Sequence, residues 1–112
     1  HPDVVEAVLR GSVRTNKWIN ANPEAAKASA NRQLAAVTGK PLPANVLDPA
    51  WKSLRITDDP LAATLHTEAR HAVKAGLLQD PKLSGIYDLT PLNKVLASEG
   101  GSPVDAAGLG AR

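Results

Sequence analysis

The chain contains no cysteine, no methionine and no phenylalanine, and its large aromatic side chains are two tryptophans and one tyrosine. The missing cysteines exclude disulfides, thiol catalysis and cysteine-ligated metals. A chain of 112 residues can bury only a modest core. Because alanine, leucine and valine must fill that core, we expect only marginal stability.

Long apolar runs and a strong charge of one sign are also missing. No run of about 18 apolar residues could span a membrane, and the opening "HPDVVEAVLR" has acidic groups and helical periodicity, unlike a signal peptide. Thirteen basic residues stand against 11 acidic ones. The net charge of +2 is too small to indicate nucleic-acid binding. Because no methionine starts the chain, we expect a processed product or a fragment.

Apolar residues at steps of three and four predict a first helix from Pro2 to about Asn20. Asn22 is the predicted N-cap of a second, alanine-rich helix, with Pro23 at its first position. Gly39 is a natural left-handed terminator for this helix. The following "KPLP" predicts an extended connection, because proline disfavours helix in the residue before it.

The middle of the chain is harder to interpret because Pro49 interrupts a helical pattern. We predict a turn and then a short helix that restarts with Asp48 as N-cap and carries Trp51 and Leu54. The best strand candidate is "RIT", within residues 54–57.

Two further helices have proline openings. Asp59 is the predicted cap of the fourth helix, with Pro60 at its first position, and Gly76 closes it. Thr90 is the predicted cap of the fifth helix, with Pro91 following. We expect the apolar residues of this last helix, Leu92, Val95 and Leu96, to point inward.

The sequence therefore predicts a mainly α fragment of about five helices, with at most one or two very short strands. Residues 1–99 form the helical segment. Residues 100–112 are small and polar enough to form a flexible tail.

The stretch "HTEARH" brings His66, Glu68 and His71 close together in sequence. Zinc-binding helices place two histidines four residues apart on one face, whereas these histidines are five apart and diverge by roughly 140°. We therefore predict solvent-facing residues with a Glu68–His71 contact and no metal site.

Arg10, Arg14 and Lys17 form a basic stripe on the first helix. A phosphate-binding ridge is one interpretation, and a solvated face opposite the apolar one is favoured. Trp18 and Trp51 could stack on a ligand, but their apolar positions favour core packing.

Thr57, Asp58 and Asp59 could form an acid–base pair or a cation site, although "DDP" is well suited to helix capping. Tyr87, the single tyrosine, is expected to pack its ring on neighbouring helices. No glycine-rich phosphate loop, nucleophile elbow or Ser/His/Asp arrangement is present. We therefore expect no enzyme activity and no cofactor.

The order of several motifs resembles the C-terminal region of ABC-transporter substrate-binding proteins of the nitrate, taurine and aliphatic-sulfonate group. These motifs are "HPDVVEAVL", "WINANPEAAK", "VTGKPLP", "TDDP", "AGLL" and "GIYDLTPLNKVL". None is diagnostic alone, but all six occur in one order across about residues 1–97.

This resemblance implies a fragment of a two-lobed α/β protein with the type II periplasmic-binding-protein fold. Such proteins are exported to the periplasm, or are anchored outside the cell, and deliver a small anion to a membrane permease. Most of the family's ligand contacts lie upstream of the motifs found here. The nearest candidates that the resemblance offers are Thr57, Asp58 and Asp59.

Two other functions stay open. The chain could be a free-standing helical interaction module that contacts an acidic partner through its basic stripe. It could also belong to a pyrimidine-precursor biosynthesis enzyme of related architecture. Apolar faces without a sheet to cover them also predict self-association.

Overall fold

The computed structural model describes residues 1–111, which form five helices and no sheet. The mainly α prediction is confirmed. The helices are α1 (Pro2–Ala21), α2 (Pro23–Thr38), α3 (Ala44–Lys52), α4 (Ala62–Lys74) and α5 (Thr90–Ser98). Within the described residues, none of the helices is long and apolar enough to cross a membrane.

The chain divides into two compact units. Residues 14–57 form the middle unit, and the described residues before and after them form the terminal unit. The division falls inside α1, between Val13 and Arg14.

The core of the terminal unit lies around α5. Val95 is fully buried and Leu96 nearly so, as their spacing predicts. Val13 of α1 completes this buried cluster, and partly buried apolar residues pack around it: Leu9, Leu92 and Val104. All three predicted inward residues of α5 therefore contribute to one small core.

The two predicted glycine terminators are confirmed. Gly39 has a φ of 85°, and its N–H donates to the carbonyl of Ala35 at the end of α2. Gly76 has a φ of 74°, and the next residue, Leu77, donates to the carbonyl of Ala72. Left-handed backbone favours glycine at these positions because a positive φ is strained for a residue with a Cβ atom, although the space around both glycines is open.

Asn22 is the N-cap residue of α2 with Pro23 in its first turn, as predicted, although its side chain makes no cap hydrogen bond. Its amide donates instead to the carbonyl of Trp18 at 2.9 Å, because only one residue separates the two helices. The N-cap predicted at Thr90 is wrong. Thr90 is itself the first residue of α5, and its N–H donates to Asp88 Oδ1 at 3.0 Å. Asp88 therefore supplies the hydrogen bond that was expected from Thr90.

The predicted start of the fourth helix is also wrong by two residues. Asp59 Oδ1 accepts the N–H of Leu61 at 2.8 Å, which makes a local turn instead of a helix cap. Leu61 has a left-handed backbone with a φ of 53°, so the helix cannot begin until Ala62.

The predicted turn and restart at Pro49 is wrong as well, because α3 runs from Ala44 to Lys52 with the proline inside it. The side chain of Asp48 is not available as a cap, since Lys27 Nζ lies 2.8 Å from its Oδ1. The proline has no N–H to donate to the carbonyl four residues earlier, so α3 lacks one main-chain hydrogen bond at this point.

No strand forms in residues 54–57. Asparagine side chains of α1, and not a neighbouring strand, donate hydrogen bonds to the main-chain carbonyls of this segment. Asn20 donates to the carbonyl of Ile56 at 3.1 Å, and Asn16 donates to the carbonyl of Thr57 at 3.5 Å. Single side-chain amides, and no ladder of main-chain hydrogen bonds, therefore satisfy these two carbonyls.

The residues after Gly100 fold back on the terminal unit. Leu109 is only 3% exposed. Its carbonyl accepts the N–H of Tyr87 at 3.2 Å, and Ala111 donates to the carbonyl of Tyr87 at 3.0 Å, which gives an isolated parallel bridge. Nothing in the sequence pattern predicts this packing. The flexibility expected of this tail stays a prediction, and Arg112 lies outside the described residues.

Candidate functional site

An open groove of about 600 Å³ runs between α4 and residues 81–83 of the terminal unit. His66, Arg70 and Lys74 line it and are spaced four residues apart. Four residues turn a helix by about 400°, so these side chains lie near one another on a single face. The groove therefore has a basic side.

The rest of the groove is apolar. Ala69 is buried at its base and Val73 is partly exposed, while Pro81 and Leu83 line the opposite side. A groove that combines cationic side chains with an apolar surface suits a small anion that carries a hydrocarbon part.

Two side chains on the basic side are positioned by neighbours. Arg70 Nη2 donates to Thr67 Oγ1 at 3.0 Å, which uses one of the five guanidinium N–H groups. His66 Nε2 lies 3.3 Å from the carbonyl of Ala107. Because a carbonyl only accepts, this contact places a proton on Nε2.

The three titratable residues of the "HTEARH" stretch all lie on α4. His66, Glu68 and His71 are exposed, as expected. Within residues 1–111, no group of histidines and carboxylates could hold a metal ion. The predicted Glu68–His71 contact is wrong, since no hydrogen bond or ion pair joins these two residues in the described part of the chain.

Arg10, the first member of the predicted basic stripe, is part of an ion-pair network. Its guanidinium lies 2.9 Å from Glu6 Oε1 and 3.3 Å from Glu99 Oε1. Lys94 Nζ lies 2.6 Å from the other carboxylate oxygen of Glu6. Hydrogen bonding from Lys94, with a smaller contribution from Arg10, lowers the pKa of Glu6. The prediction of a solvated basic face is therefore wrong for Arg10.

The three residues suggested by the resemblance have different surroundings. The carbonyl of Thr57 accepts the Asn16 amide, and Asp58 is partly buried. Asp59 lines a cavity of about 190 Å³ together with Asp105. Two carboxylates around one small cavity disfavour an anion there. Binding at Thr57, Asp58 and Asp59 stays a prediction.

The two tryptophans line one cavity of about 230 Å³ in the middle unit. Trp18 is 47% exposed and Trp51 is partly buried. Core burial is therefore the wrong prediction for Trp18. The spacing within α1 gave no signal that the two indoles would meet at one cavity, because they lie on different helices.

Tyr87 is partly buried and lines a separate cavity of about 470 Å³ with Asn93 and Val104. Its main chain pairs with Gly110. The residue thus contributes to the fold through its main chain, and the packing of its ring on neighbouring helices stays a prediction.

No protein-family model, curated protein or solved structure matches this chain.

Proposed function

We propose that the chain is the C-terminal helical region of an exported substrate-binding protein of an ABC importer, which captures a small organic anion for a membrane permease. The order of six motifs along about residues 1–97 carries the proposal. The parent would be a two-lobed α/β protein, and this region would carry out no catalysis.

The observed helices support this proposal at four of the motifs. "HPDVV" opens α1 at Pro2, and "NPE" opens α2 at Pro23. "TDDP" precedes α4, and "LTPLNKVL" spans the start and the buried face of α5. The motifs that suggested the family thus coincide with helix boundaries in one order.

The α4 groove supports anion capture by this region itself. Arg70 offers several N–H donors in a planar fork, and Lys74 adds a compact positive charge. The like charges stand one helical turn apart, which costs an isolated helix about 0.2–0.5 kcal/mol. A bound anion would offset this repulsion.

The direct test is an NMR titration of the 15N-labelled chain with taurine, ethanesulfonate and nitrate. We expect saturable shifts confined to residues 66–74 and 81–83. The double variant Arg70→Gln/Lys74→Gln should lose them, because both cationic groups are removed. As a matched control, Lys52→Gln removes a positive charge from α3 and should bind as the unmodified chain does.

Shifts that persist in the double variant, or that Lys52→Gln abolishes equally, would show unspecific charge screening and contradict the role of the groove. The family proposal has its own test, which is the coding sequence upstream of His1. We expect an export signal and a strand-rich region there. A reading frame that starts near His1 would overturn the family proposal and leave the groove result standing.

The alternative of an interaction module with a basic stripe is less well supported. Arg14 and Lys17 are exposed on α1, but Arg10 already contacts two carboxylates of its own chain. An acidic partner would have to compete with these internal ion pairs for Arg10.

A further inference from the structure

The cavity between the two tryptophans lies entirely within the middle unit. Trp18 reaches it from α1 and Trp51 from α3, while α2 supplies Ala26 and Ala30. Small alanine side chains leave room at the positions that face the indoles. A cavity therefore remains between α1, α2 and α3, and the two indole rings form part of its wall.

The lining chemistry indicates what could occupy this space. Ile19 adds aliphatic surface, and the polar members are the neutral side chains of Thr15, Ser29 and Gln33. None of the residues that line the cavity is charged among those the structure describes. The cavity is open to solvent, and a charged ligand would find no counter-charge in its lining, so a neutral ligand is favoured.

The size of the cavity narrows the ligand further. An engineered apolar cavity of about 150 Å³ holds benzene, and this cavity measures about 230 Å³. One aromatic ring with a short substituent therefore fits. Indole surfaces favour stacked or edge-to-face contacts with such a ring.

We infer that the middle unit has a binding site for a small neutral aromatic molecule, with Trp18 and Trp51 contacting the ring. A hydroxyl on the ligand would meet the polar side formed by Ser29 and Gln33. This site is independent of the α4 groove and of the proposed anion. The two tryptophans, for which the sequence favours core packing, thus belong to a second binding site.

Tryptophan fluorescence tests the inference directly, because these are the only two tryptophans in the chain. Benzyl alcohol is the probe, with excitation at the red edge of tryptophan absorption, where the probe does not absorb. We expect a saturable change in emission from the full chain. Benzoate has the same ring with a charge and should bind about tenfold more weakly or not at all.

Two variants decide between a ligand site and a general solvent effect. Ala30→Phe fills the cavity while keeping both tryptophans, and it should abolish the saturable change. Trp51→Leu removes one aromatic contact and should weaken binding about tenfold, as read from Trp18. Leu34→Ala lies on the same helix outside the cavity and serves as the matched control. Circular dichroism checks that each variant keeps its helices.

An emission change that stays linear in probe concentration would overturn the inference. So would equal affinities for benzyl alcohol and benzoate, or unchanged binding by a helical Ala30→Phe variant. Saturable binding by the full chain that Leu34→Ala abolishes as completely as Ala30→Phe would also overturn it.

Discussion

The side-chain amide of Asn93 forms two hydrogen bonds with the main chain of Val104. Asn93 Nδ2 donates to the Val104 carbonyl at 3.0 Å, and its Oδ1 accepts the Val104 N–H at 2.8 Å. The pair joins α5 to the segment that follows Gly100. Because both main-chain groups of one residue are satisfied by one side chain, Asn93 acts as a clamp for that segment.

Asn93→Ala should lower the free energy of unfolding by about 1–3 kcal/mol, because it leaves the partly buried donor and acceptor of Val104 without partners. Chemical denaturation of the variant and the unmodified chain measures this difference. A loss below about 0.5 kcal/mol would show that water replaces the amide and that the clamp is unimportant.

Asn31 makes the same two bonds with Leu42 in the middle unit, at 3.0 and 2.8 Å. This clamp is exposed, so water can solvate the main-chain groups once the amide is removed. Asn31→Ala should therefore cost only about 0.5–1 kcal/mol. The comparison of the two alanine variants by denaturation tests whether burial sets the difference, and an equal loss would contradict it.

Leu109→Ala tests the packing of the segment after Gly100. The leucine is 3% exposed, so truncation should cost about 2–5 kcal/mol if this packing persists in solution. Leu77→Ala is the matched control, because Leu77 is 78% exposed and should change stability by less than about 0.5 kcal/mol. Equal effects of the two substitutions would mean that the tail is frayed, as its composition predicts.

The positions of α1, α2 and α5 were the predictable part of this fold. The spacing of apolar residues and the prolines at Pro2, Pro23 and Pro91 mark the helices correctly, because both signals are local. The glycines Gly39 and Gly76 mark helix ends for the same reason, since a left-handed backbone favours glycine wherever it occurs.

Side-chain hydrogen bonds could not be predicted in the same way. Asp48 has the identity and position of a cap, but Lys27, 21 residues away, binds its carboxylate. Asn22 likewise bonds to the preceding helix rather than the following one. The hydrogen-bond partner of a polar side chain is set by groups that come close to it only in the folded chain, so the local sequence does not identify the partner.

The candidate sites show the same limit. His66, Arg70 and Lys74 recur at helical spacing, so their shared face is visible in the sequence. The apolar side contributed by Pro81 and Leu83 depends on how the chain folds after Gly76. The sequence could therefore predict that the three basic residues share one face of α4, but it could not predict the groove.

The ion pairs of Glu6 predict a specific loss of stability in acid. Its pKa is lowered in the folded chain, chiefly by the hydrogen bond from Lys94, so the folded state favours the ionised carboxylate. This contribution is present above the ordinary pKa of a glutamate and is lost as the pH falls through the lowered value. Glu6→Gln should reduce the acid dependence of stability, as measured by denaturation over a pH series.

Glu68→Gln is the control for this acid series, because it changes an exposed glutamate on α4. Its stability should follow the same pH dependence as that of the unmodified chain. Identical pH profiles for Glu6→Gln and the unmodified chain would contradict a role for the Glu6 ion pairs.

The exposed valines near the start of α1 predict self-association. Val4, Val5 and Val8 are 54%, 50% and 67% exposed and lie one turn apart or closer, so they form a continuous apolar surface. We expect the sedimentation coefficient to rise with protein concentration.

The double variant Val5→Gln/Val8→Gln should reduce that rise without weakening the helix, because glutamine is the better helix former. Val37→Gln changes an 85% exposed valine of the middle unit and should leave the rise unchanged. A clean monomer at every concentration, or equal suppression by Val37→Gln, would show that this surface does not drive association.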